Sequence, residues 1–151
     1  MESQHLGPKR KGDIAELHVA SLLLSDPALE VFTAACDDGH GSDIAVRSTR
    51  TNRWYSVQVK AAGSTVNPWV KANRFRATAD FLVAAVMLDE RGLPGQTFLI
   101  PGAAWLEDTS RCLGKNDDGG ANGPYVEVRT MAAMHAPALQ AYDALAMLSK
   151  L

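Results

Sequence analysis

The sequence predicts an α/β fold built on a mixed sheet of about five strands flanked by helices, and three features carry that prediction. An early segment repeats its apolar residues at helical spacing. Two strand-like segments flank a short polar run. Residues 81–88 form a nearly unbroken apolar stretch, as expected of a central strand covered on both faces.

Taken in order, Gly7-Pro8 opens the first helix, because proline suits a helix's first turn. Its pattern runs through Ile14, Leu17, Ala20 and Leu24 and stops at Ser25-Asp26-Pro27. Residues 29–34 read as a strand, and Cys36-Asp37-Asp38-Gly39-His40-Gly41 as a turn-rich loop. Residues 43–47 and 54–60 then form two antiparallel strands joined by the polar residues 48–53. Beyond the 81–88 strand, residues 97–100 make a shorter one that ends at Pro101-Gly102. Residues 115–124, with Asp117-Asp118-Gly119-Gly120, read as a loop, 125–129 as an alternating strand and 137–151 as a closing helix. That helix has Leu139, Tyr142, Leu145, Ala146 and Leu148 to bury.

A length of 151 residues suits one domain, and 46% hydrophobic with 21% charged residues is an ordinary globular balance. Two cysteines, Cys36 and Cys112, are too few for a disulfide scaffold, so a reduced, cytoplasmic setting is expected. No stretch approaches the roughly 20 apolar residues of a membrane span. The net charge of -2 gives no overall bias toward nucleic acid, but its distribution does. Between Asp43 and Asp80 stand Arg47, Arg50, Arg53, Lys60, Lys71, Arg74 and Arg76, with no acidic residue among them. Such a run is a candidate phosphate-facing surface.

Four residues carry the chemistry. On a helical wheel Glu16 falls among Val19, Ala20, Leu23 and Leu24, a buried stripe in which a carboxylate needs a partner or a metal. Asp43 opens its strand after Gly41-Ser42. In Tyr55-Ser56-Val57-Gln58-Val59-Lys60 the period of two puts Gln58 and Lys60 on one face and Val57 and Val59 on the other, toward the core. Pairing of the two strands brings Asp43, Gln58 and Lys60 together, and the first helix can add Glu16. Glu16, Asp43, Gln58 and the Val59 carbonyl form a hard-oxygen set suited to Mg²⁺ or Mn²⁺ rather than zinc. Lys60 beside them could position a water or stabilise charge on a phosphodiester.

A helix carrying Glu, then Gly-Ser-Asp-Ile-Ala-Val, then Val-Gln-Val-Lys resembles the PD-(D/E)xK nuclease superfamily in order and spacing, over roughly residues 9–61. The resemblance implies a restriction-endonuclease-like fold and a metal-dependent DNA endonuclease. By it Asp43 takes the place of the motif's first acid, Gln58 the second, Lys60 the lysine and Glu16 the first-helix acid. Gly41-Ser42 stands where the motif's name has a proline, and the amide of Gln58 matches the QxK branch. An inactive binding module that keeps the nuclease fold is the alternative.

Arg47, Arg53, Lys71, Arg74 and Arg76 are the expected DNA-backbone contacts. Aromatic Trp54, Tyr55, Trp69 and Phe75 interleave with them; Trp54 and Tyr55 are assigned to the core and Trp69 to a ligand. His40 could assist the site, although a plain turn explains its loop better. An EF-hand is excluded, since the twelfth position counted from Asp37 or Asp38 is Ser48 or Thr49 rather than Glu. Phosphate-loop, dinucleotide and nucleophile-elbow motifs are absent. The alanine-rich closing helix leaves room for a homodimer contact.

Overall fold

Gly7, in extended conformation, and Pro8 start helix α1 (Pro8–Leu24) in the computed structural model, which describes residues 6–33 and 41–151. The helix ends where the Ser25 amide and hydroxyl both donate back to the Leu22 carbonyl, ahead of Pro27. Its buried residues are Ala15, Val19, Ala20 and Leu23. The stripe expected through Leu17 and Leu24 is displaced: these two are 70% and 61% exposed. The small side chain of Ala15 lets the helix seat closer on the sheet along that neighbouring line.

The strands are β1 (Leu29–Thr33), β2 (Ile44–Ser48), β3 (Arg53–Ala62), β4 (Trp69–Lys71), β5 (Phe81–Leu88), β6 (Pro94–Pro101), β7 (Leu113–Asn116) and β8 (Tyr125–Val128). The architecture is mixed α/β, a five-stranded sheet of order β1-β2-β3-β5-β6 and a three-stranded sheet of order β4-β8-β7. β2 and β3 form the expected antiparallel hairpin, with Ile44 opposite Val57 and Ser48 opposite Arg53. β3 and β5 run parallel, with Gln58 beside Val83 and Lys60 beside Ala85. A parallel pair needs a crossover rather than a tight turn, and residues 63–80 supply it and hold β4 on the way.

Leu82, Ala84 and Val86 of β5 face α1 together with Val57, Val59, Ile44 and Val46. Phe81 and Val83 face the second sheet, against Val70 and Val126. Both faces of β5 are thus buried, as its apolar run requires.

The strand expected at 125–129 is present as β8 and pairs with β4 and β7 in the second sheet. Two expectations are corrected. The loop assigned to residues 115–124 contains part of β7 and a 3-10 turn at Gly120–Asn122. The closing helix is broken into α3 (Ala136–Leu139), a 3-10 turn and α4 (Ala144–Leu148), preceded in the chain by the short α2 (Ala104–Glu107). The break lies at Asp143, whose backbone bridges to Phe98 and whose carboxylate accepts from the Ala146 amide to cap α4. Leu139 and Leu148 are buried as expected, whereas Leu145 is 63% exposed. Among the described residues no helix is long and apolar enough to cross a membrane.

The last turn is anchored under the β2–β3 hairpin. Arg50 makes two 2.9 Å bonds to the Asp26 carboxylate and a third to the Leu148 carbonyl, while Thr51 and Tyr55 hydroxyls donate to the Leu151 carbonyl at 3.1 and 3.3 Å.

Candidate active site

β2 begins at Ile44, opposite Val57, so among the described residues no strand lies beside the β2-side edge of β3 beyond Val57. The ladder alternates, and a residue's N–H and C=O leave the strand on the same side. Val57 accepts from the Asp43 amide at 2.9 Å on the β2 side, which turns the amide and carbonyl of Val59 to that open side as well. There the Asp43 carboxylate takes the place of the missing strand. Its Oδ2 accepts from the Val59 amide at 2.7 Å and from the Gln58 side-chain amide. Asp43 and Gln58 occupy neighbouring register positions, and the hairpin joins them as pattern reading expected.

Gln58 is only 2% exposed, because the second sheet covers the face that was expected to project from the core. Donation from Nε2 to Asp43 fixes the amide's orientation, and Oε1 is left buried without a hydrogen-bond partner. A buried acceptor in that state lacks the compensation it had in water.

Glu16 reaches the site from α1. At about 100° per residue it lies about 20° from Leu23 and about 40° from Ala20, so its helical face was read correctly. Its burial was not: although Ala15 beside it is fully buried, Glu16 is exposed. Together with Pro8, Gly12, Asp43, Gln58 and Lys60 it lines a cavity of about 430 Å³. Partial desolvation first, and then the negative charges of Asp43 and Asp13, push the Glu16 carboxyl above its ordinary 4.5, against the opposing pull of Lys60 and Lys9.

That shift has a testable sign. With the folded pKa raised, the native state holds its proton longer than the unfolded chain, so the metal-free fold is favoured at low pH. This contribution is lost as pH rises through the folded value. Glu16→Gln should remove that component from the pH dependence of the urea midpoint in chelator; an unchanged profile would separate Glu16 from the charges around it.

Gly12 sits one helical turn before Glu16 on the same face, and a Cβ there would meet nothing within 4 Å. Glycine costs a helix interior roughly 0.5–1 kcal/mol relative to alanine, and no neighbouring protein atom requires it here. Gly12→Ala is therefore expected to raise stability by about that amount in a denaturant titration, and a destabilised variant would show that the space is needed by the fold itself. Sequence reading passed over Gly12, although its position four residues before Glu16 was the available signal. Gly41 differs: its φ is +77°, and a Cβ would come within 2.7 Å of the Arg74 carbonyl, so only glycine fits.

A second cavity, about 510 Å³, adjoins the first and shares Lys60, Ala61 and Arg74 with it. Trp69 and Lys71 line it as well. The basic run is thus split by the fold. Lys60, Lys71 and Arg74 gather at the cavities. Arg47 lies four residues along β2 from Asp43, about 13 Å away, and is bonded to Glu30 at 3.1 Å and Asn52 at 2.8 Å. Arg53 stacks over the Tyr55 ring at 5.4 Å, and Arg76 over the Phe81 ring at 4.9 Å. Tyr55 is buried as expected, but Trp54 is 54% exposed and paired with Phe32, since strand alternation turns it away from α1 where the second sheet does not reach. Cys36, Asp37, Asp38 and His40 lie outside the described residues.

Among the described residues, Glu16 and Asp43 are the carboxylates lining the first cavity, and there is no cluster of three His, Cys, Asp or Glu side chains. The donor chemistry still fits a magnesium-like ion, which keeps several waters and takes one or two protein carboxylates. Gln58, whose Oε1 is buried and unpartnered, lines the same cavity. No family model matches the chain, and no curated protein matches it.

Proposed function

We propose that the chain is a metal-dependent DNA endonuclease that hydrolyses phosphodiester bonds at the Glu16, Asp43, Gln58 and Lys60 cluster. The observation that carries this reading is the meeting of all four, from α1 and from two strands, around one cavity. Their order along the chain is that of the PD-(D/E)xK motif in its QxK form. Glu16 and Asp43 would hold the Mg²⁺ or Mn²⁺, with Gln58 and the Val59 carbonyl as neutral oxygens. A bound ion of this kind polarises a phosphoryl oxygen and lowers the pKa of a coordinated water.

The chain's own residues do the rest. Lys60 lines the cavity as a cation and would stabilise the charge that builds on the non-bridging oxygens during attack. Arg74, shared by both cavities, would hold the flanking phosphate. Asp43 keeps the open edge of β3 in shape through the Val59 amide and orients Gln58. A cation nearby would favour the ionised form of Glu16, which partial desolvation first and then the charges of Asp43 and Asp13 disfavour.

One observation favours a second reading. Asp43 is committed to Gln58 and Val59 within the protein, which is also what a binding module that had kept only the architecture would need. Incubation of linear, nicked, branched and single-stranded DNA with Mg²⁺ or Mn²⁺, beside a chelator control, separates the two. Metal-dependent cleavage supports the nuclease. Intact DNA in every lane, with the protein folded, would leave the binding module.

A further inference from the structure

We infer that the second cavity is a subsite for one nucleotide whose base is unpaired, so that the DNA entering the site is single-stranded or locally splayed; this rests on the nuclease reading above. Among the described residues three cations, Lys60, Lys71 and Arg74, line the cavity, and no carboxylate does. The first cavity, by contrast, carries Glu16 and Asp43. The second is therefore the anion-binding half of one continuous cleft, joined to the carboxylate half through Lys60, Ala61 and Arg74.

Its walls suit a base as well as a phosphate. One wall is the edge of β3 that β2 does not cover, continued by Gly63; the other is Val66, Asn67, Pro68 and Trp69. Apolar surface and an amide side chain thus stand beside the cations. At about 510 Å³ the cavity falls within the roughly 300–1,000 Å³ that small-molecule sites occupy. A duplex keeps its bases stacked and paired inside and offers only sugar and phosphate to such a recess. A base fills it only after leaving the stack, at a cost that is least for an unpaired or mismatched nucleotide.

Gly63 gives a direct test. It lines the second cavity and not the first, its backbone is outside the left-handed region, and a Cβ there would meet nothing within 4 Å. Gly63→Trp should plug the subsite without disturbing the fold, which a thermal midpoint equal to wild type would verify. Binding is read by fluorescence anisotropy in chelator, with a labelled single-stranded oligonucleotide and the blunt duplex of the same sequence. We expect wild type to bind the single strand about tenfold tighter than the duplex, and Gly63→Trp to lose about tenfold on the single strand alone, in line with the strength of single-base contacts. Lys71→Ala, at an exposed position, should weaken the single strand in the same direction. Equal single-strand binding by wild type and Gly63→Trp, or a preference for the duplex, overturns the subsite. Because no cleavage is required, failure of the nuclease reading appears separately, as intact DNA with metal while this binding pattern persists.

Discussion

Lys60→Ala is expected to lower kcat for metal-dependent DNA cleavage by on the order of 10²–10³-fold, the usual loss when one preorganised group that stabilises developing charge is removed. Lys60 is only partly buried and borders both cavities, so its loss should leave the urea midpoint within about 0.5 kcal/mol of wild type. Asp43→Asn should also abolish cleavage, but by another route. It removes one of the two carboxylates that the described residues bring to the site while keeping a side chain that can still accept from the Val59 amide. The paired readout is metal titration: Lys60→Ala should bind Mg²⁺ at least as well as wild type, whereas Asp43→Asn should bind it weakly. Full activity in Lys60→Ala would remove the lysine from the mechanism.

Phe81→Ala should give the largest loss of stability, about 3–5 kcal/mol. Phe81 is fully buried and is the largest such side chain, set between the two sheets with Val70, Val83 and Val126. The Phe75 ring meets it edge-on at 5.8 Å, and the Arg76 guanidinium caps it. Against a typical domain stability of roughly 5–15 kcal/mol, the variant would be partly unfolded in moderate urea. Phe32→Ala is the matched control: that ring is 50% exposed, and its removal should change stability by no more than about 0.5 kcal/mol. A loss below about 1 kcal/mol for Phe81→Ala would mean that the second sheet closes over the gap.

These two results probe parts of the molecule that differed in how far they could be read beforehand. The main sheet was legible because its signals are local: an eight-residue apolar run for β5, and a polar turn between alternating strands for β2 and β3. The second sheet was legible only in part. β8 was read as an alternating strand, but β4 and β7, at three and four residues, are too short to show a period, so the layer was missed and Gln58 appeared to be an open polar head when it is buried. The closing helix was overcalled for a related reason. Its alanines favour helix wherever they stand, but the contact of Asp143 with Phe98 is tertiary and overrides that preference.

At the site, the hairpin register that brings Asp43 beside Gln58 followed from alternation alone. The exposure of Glu16 did not, because a helical wheel gives direction around the axis and says nothing of what packs over each position. The basic run was read as one surface, yet strand length separates Arg47 from Lys60 however close they are in sequence. Gly63 escaped attention because an absent side chain leaves no pattern, whereas Gly12 could have been found from its spacing to Glu16.

The anchoring of the last turn beneath the hairpin bears on how the chain is made. Arg50, Thr51 and Tyr55 appear early in synthesis, but the carbonyls they hold belong to Leu148 and Leu151, some hundred residues later. Until residues 148–151 are made, these three donors face water in place of their carbonyls, although the β2–β3 ladder itself can pair. A nascent chain halted before Leu148 should therefore be more open to protease around residues 50–55 than one that carries Leu151.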